Sequence, residues 1–180
     1  MSGETPVVLV VDDDAERAEL YASWLGSRYD VRVAHDGRAA LAAVDEADAA
    51  VLGPAPPDGP GLTDALRARV VRVPVVVVVP PGGDAPVPEP DERVDEPASE
   101  TALRTAVAGL VARRQYARGV DELFSIAAER AARDDDEDPE LDDRFDELSD
   151  RLGETLSDLV DSAGYRAAYR AATDSDESED

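Results

Sequence analysis

Val7-Val8-Leu9-Val10-Val11-Asp12-Asp13-Asp14 is the stretch on which the fold turns. Five apolar, mostly β-branched residues with no polar alternation read as a strand covered on both faces. The run stops in three carboxylates, and an amphipathic helical stretch over 15–27 follows at once, with Ala18, Tyr21, Trp24 and Leu25 on one face. A buried parallel strand ending in an acidic turn before a helix places negative charge at the carboxyl edge of a sheet. Open α/β folds build their sites at that edge.

The same alternation continues to about residue 97. Strands are expected at 7–11, 31–34, 49–52, 73–79 and 92–95, and helices between Gly37 and Asp45 and at 62–69. Val75 to Val79 is valine throughout and reads as a central, doubly covered strand. Residues 80–91 hold five prolines and two glycines, so an extended loop is expected where a helix would otherwise follow. The fold class is therefore α/β: a doubly wound, parallel five-stranded sheet over residues 6–112.

Beyond Pro97, Ser99 is placed to cap a helix with Leu103, Val107, Leu110 and Val111 on one stripe. Tyr116, Val120, Leu123 and Ala127 carry the stripe on, and neither Gly109 nor Gly119 is enough to end the helix. Pro139, with Asp138 before it, opens another helix with Leu141, Phe145, Leu148, Leu152, Leu156 and Leu159 in its seam. An antiparallel helical hairpin over 113–172 is expected, then a disordered acidic tail over 173–180.

Composition narrows the function. The formal charge is −24, and all 18 basic residues are arginine. Such a lysine-free acidic surface fits a halophile, whose molar salt screens self-repulsion over about 3 Å. The absence of cysteine excludes thiolate catalysis and Cys-ligated metals. Without a span-length apolar run or a secretory leader pattern, the expectation is a cytoplasmic protein with no membrane partner.

Asp12 and Asp13 lead a strand-helix order that resembles the receiver domain of two-component signalling. The remainder, with Tyr116, the run Glu122-Leu123-Phe124-Ser125-Ile126-Ala127 and the acidic leucine-rich helix, resembles the HalX domain that follows receivers in haloarchaea. The resemblance implies an acidic pair holding Mg²⁺, an acceptor aspartate, a hydroxyl residue and a lysine. Here Asp12 and Asp13 match the pair, but Gly53 stands at the acceptor position, Val77 or a neighbouring valine at the hydroxyl position, and Glu96 before Pro97 at the lysine position. Phosphoryl transfer needs the nucleophile and the cations together. The expectation is a pseudo-receiver, not an enzyme, with no catalytic residues and no cofactor.

Four smaller features have plain readings. Asp12, Asp13 and Glu96 could form a weak site for Mg²⁺ or a monovalent cation, but a leftover cluster, with Asp13 or Asp14 capping the first helix, is preferred. Asp58 reads as a turn residue rather than a displaced acceptor, and His35 as a surface residue. Arg113, Arg114 and Arg118 read as partners for the hairpin's own carboxylates rather than as a phosphate contact. The expected function is an atypical response regulator acting on transcription or on a signalling partner. The alternative is an adaptor or homodimerisation module docking on a sensor kinase or another regulator. Direct DNA binding is left open.

Overall fold

The computed structural model describes residues 5–54, 73–83, 90–132 and 139–176. The chain divides into two compact units, Met1–Arg114 and Gln115–Asp180.

In the first unit, β1 (Val7–Val11), β2 (Asp30–Ala34), β3 (Ala49–Leu52), β4 (Val75–Val79) and β5 (Glu92–Asp95) form one parallel sheet in the order β2-β1-β3-β4-β5. Strand alternation sends Val8, Val10, Val51, Val76, Val78 and Val94 to one face. They pack there with Tyr21 and Leu25 of α1 (Ala15–Leu25) and with Leu103, Val107 and Leu110. Leu9, Val11, Leu52, Val75, Val77 and Val79 line the other face, over Ala40 of α2 (Gly37–Ala43) and Val44 of the 3₁₀ turn Val44–Glu46. The doubly wound α/β architecture is thus as expected. Two carboxylates close the amino ends of the strands: Asp48 accepts from the Val7 N–H at 2.9 Å and Asp91 from the Val75 N–H at 2.9 Å. Each satisfies a backbone donor that the ladder leaves unpaired.

The element bounds differ from the sequence reading at a few places. β4 begins at Val75 rather than residue 73, with Pro74 before it, and α1 ends at Leu25. In the 80–91 segment, Pro80–Gly83 is a turn closed by the Gly83 N–H on the Pro80 carbonyl at 2.8 Å, and Gly82 supplies the positive φ of 70° that it requires. The helix expected at 62–69, the Asp134–Asp138 run and residues 84–89 lie outside the described residues.

A helix α3 spans Glu100–Ala132, and Ser99 Oγ accepts from the Ala102 N–H at its start, 3.2 Å away. Its first part belongs to the first unit, where Arg113 meets Glu92 of β5 at 4.0 Å rather than a hairpin carboxylate. In the second unit, α3 and α4 (Pro139–Asp176) pair through Ile126, Leu141, Leu148 and Leu152, flanked by Tyr116, Val120, Leu123 and Phe145. The pairing is antiparallel: Arg130 meets Asp142 at 2.8 Å, whereas Gly119 lies against Leu152. Two expectations need correction here. Leu156 is 45% exposed, so the buried seam ends at Leu152 within the described contacts. The helix continues to Asp176, so 173–176 are helical rather than part of a disordered tail.

Candidate functional site

β1 and β3 lie side by side with Val11 level with Leu52, so Asp12 and Gly53 leave the sheet together at its carboxyl edge. The Gly53 N–H donates to the Val11 carbonyl at 2.9 Å and the Asp12 N–H to the Ala34 carbonyl at 3.1 Å. Both residues share the face that holds Val8, Val10 and Val51. The Asp12 carboxylate then folds across Gly53. A Cβ added at residue 53 would lie 2.1 Å from Asp12 Oδ2 and 2.5 Å from its Cγ. The space that a side chain at residue 53 would enter is therefore filled by Asp12.

Asp12 is fully buried and its charge is met from inside the protein. Arg17, on the first turn of α1, donates through Nε to Oδ2 at 2.6 Å and through Nη2 to Oδ1 at 2.7 Å. The Asp14 N–H adds a third bond to Oδ1 at 2.9 Å. This is the bidentate fork that a planar guanidinium makes with a carboxylate. Arg17 also lies 3.8 Å from Asp13, 3.6 Å from Asp14 and 4.0 Å from Glu96 of the β5 edge. One cation thus serves four carboxylates. Donation to Asp12 raises the Arg17 pKa above the ordinary arginine range, with the fields of Asp12 and Asp14 adding to it and desolvation working against it. Tyr21, one turn further along α1, has its phenol pKa raised, chiefly by burial.

The remaining residues singled out in the sequence fall as follows. Asp14, not Asp13, caps α1, accepting from the N–H groups of Glu16 and Arg17 at 3.0 and 3.1 Å. Asp13 points outward and is mostly exposed. His35 is exposed, with Nδ1 3.0 Å from the Asp12 carbonyl oxygen. Val77 does not stand at the site. It is level with Leu52, and its side chain faces the opposite core with Leu9 and Val11. The β4 register and alternation put Val78 level with Gly53 on the Asp12 face, and Val78 equally lacks a hydroxyl. Asp58 lies outside the described residues. Sequence reasoning missed Arg17, although it is the first basic residue after the acidic run.

Comparison with known proteins fits this topology. A signal receiver domain from Vibrio parahaemolyticus superposes with a TM-score of 0.56 at 21% identity, over 64% of this chain and 96% of its own. The receiver domain of a Francisella response regulator, 27% identical, gives a TM-score of 0.50 over 60% of this chain and 98% of its own. The first unit has the receiver fold. In sequence, a Haloferax volcanii protein called "Putative transcriptional regulator" is 33% identical over 134 residues, or 71% of this chain. The chain spans 23% of that protein's length. No family model matches the chain. Among the described residues, no helix is long and apolar enough to cross a membrane.

The receiver fold implies a Mg²⁺ ion at this edge, and the residues present do not fit one. Both Asp12 oxygens are engaged by Arg17, Asp13 is turned to solvent, and Gly53 offers no ligand. A guanidinium within 2.7 Å of both oxygens opposes a divalent cation on the same carboxylate by direct charge repulsion.

Proposed function

We propose that this chain is a regulatory protein of two-component-type signalling that works without aspartyl phosphorylation. The observation that carries the reading is the Asp12 carboxylate seated over Gly53, where an acceptor would stand, and neutralised by Arg17. Glu96, at the position the resemblance gives to lysine, reverses the charge that phosphoryl transfer needs. The fold supports a protein partner, a sensor kinase or another regulator. The Haloferax relative supports an outcome in transcription. On this reading the protein is cytoplasmic, halophilic and not an enzyme, and its hairpin is a HalX-like module.

A second reading makes it an adaptor without DNA contact. Residues 115–180 hold 22 acidic side chains and 7 arginines. That excess of negative charge opposes the phosphate contacts on which DNA affinity mostly depends. Affinity purification in molar salt, analysing bound protein and DNA together, separates the two.

The phosphorylation claim is tested by intact-mass analysis after exposure to a small phosphodonor with Mg²⁺. The mass is expected to stay unchanged. A stoichiometric single phosphate adduct would overturn the proposal, and its loss in Asp58→Ala would locate the acceptor.

A further inference from the structure

We infer that Arg17 occupies the divalent cation's place at the carboxyl edge of the sheet and makes the site independent of Mg²⁺. The inference rests on reading this edge as one without an acceptor, and it adds an agent and a mode of regulation. A divalent ion bound by carboxylates does two things: it cancels their repulsion and it fixes the loops that carry them. Arg17 does both with covalently attached charge. Its two short bonds hold Asp12 across Gly53, and the same head group approaches Asp13, Asp14 and Glu96 at 3.6 to 4.0 Å. It therefore ties the β1–α1 corner to the end of β5.

Charge and space agree on the assignment. The pair is matched by the absence of a side chain at residue 53, since any Cβ there would displace the carboxylate from the fork. Asp12 is fully buried whereas Arg17 keeps 24% of its side chain exposed. The carboxylate thus cannot be neutralised from solvent, and the arginine must supply the charge. An edge neutralised this way is permanently in one electrostatic state, with no ion to gain or lose. Arg17 is a positioning residue, acting through Asp12 and Glu96.

The test is a Mg²⁺ titration at constant ionic strength, reading thermal stability and Trp24 fluorescence on the full chain. Wild type is expected to stay flat. Arg17→Ala leaves Asp12, Asp13 and Glu96 uncompensated, and millimolar Mg²⁺ should raise its Tm by about 4 °C or more. Arg17→Lys keeps a charge and secures a folded sample. Its ammonium matches a single oxygen, so a smaller rise is expected. The Asp12→Asn/Arg17→Ala double variant should be flat again, locating the response at this pair. A Mg²⁺-dependent rise in wild type overturns the inference, as do folded Arg17 variants that ignore Mg²⁺. The two proposals fail separately: a phosphate adduct on wild type sinks the phosphorylation claim, and a Mg²⁺ response without an adduct sinks this one.

Discussion

Gly53→Ala isolates the packing that defines the site. Among the described glycines only Gly82 has a positive φ, so alanine at residue 53 meets no backbone strain. Its whole cost arises from the new Cβ, which would lie 2.1 Å from Asp12 Oδ2. Ordinary contact requires the carboxylate to retreat by about 1 Å, and the fork of 2.6 and 2.7 Å hydrogen bonds to Arg17 does not survive that displacement intact. Leaving the buried carboxylate wholly unpaired would cost about 3–5 kcal/mol. Arg17 is partly exposed and can follow, so the expected loss is that of one charged hydrogen bond, about 2–3 kcal/mol. In an Asp12→Ala background the obstacle is gone. Gly53→Ala should there be neutral or stabilising by about 0.4–1 kcal/mol, because alanine restricts the unfolded chain. The double-mutant cycle therefore predicts a coupling of about 2–3 kcal/mol. Urea denaturation in molar KCl, followed by the single tryptophan in α1, reads the first unit directly. Equal cost of Gly53→Ala in both backgrounds would refute the claim that Asp12 fills the space beside residue 53.

Two further outcomes follow from packing and burial. Gly119 and Gly153 lie in α3 and α4, where alanine is intrinsically better by about 1 kcal/mol. A Cβ at Gly153 meets nothing within 4 Å, whereas one at Gly119 would meet Leu152 Cδ2 at 2.6 Å. Gly153→Ala should stabilise the hairpin by about 0.5–1 kcal/mol, and Gly119→Ala should lose that gain to overpacking of about 1–3 kcal/mol. Circular dichroism under urea checks this, and equal stabilisation by both would contradict the antiparallel pairing. Burial also raises the phenol pKa values of Tyr21 and Tyr29 above their ordinary value of 10.0. The unfolded chain then loses these protons first, so stability is fully present below about pH 10 and declines as pH rises above it. Spectrophotometric titration at 295 nm should show two tyrosines ionising late, and early, uniform ionisation would contradict their burial.

The inner strands β1, β3 and β4 were legible because each is an unbroken apolar run that needs no polar alternation to be recognised as buried, whereas the edge strands β2 and β5 carry charged residues. The phase of β4 was not legible. Five consecutive valines carry no mark of which side chains face which core, and only the pairing of Val77 with Leu52 sets the parity that moves Val78 to the site. The hairpin seam has the same difficulty in another form. The spacing of leucines names a stripe on α4, but its buried length depends on the facing residues of α3, so Leu156 looked equivalent to Leu152 in the sequence. Gly53, by contrast, stands out in the sequence through the resemblance, which implies an acceptor directly after the third strand.

Arg17 shows why a site can be read residue by residue and still be misjudged. The resemblance directs attention to a lysine at the end of the fifth strand, where this chain has Glu96, and a lysine-free sequence then looks like one without a cation. Charge balance asks a different question: which cation neutralises Asp12, wherever it comes from? Asp12 lies outside α1, so its partner is not an i,i+4 helix pair, and the five-residue step to Arg17 spans a strand-to-helix corner that only the folded backbone defines. Arginine suits that corner better than lysine would, since its fork meets both oxygens while its outer edge still reaches toward Glu96. Salt screens the outer contacts to Asp13 and Asp14, which are about half exposed, but not the fork on buried Asp12. The inner pair therefore holds across ionic strengths at which surface pairs contribute little. Under the proposal made for Arg17, such a site exchanges a reversible ligand for a fixed one, and gives up the chemical input that a Mg²⁺-dependent acceptor would supply.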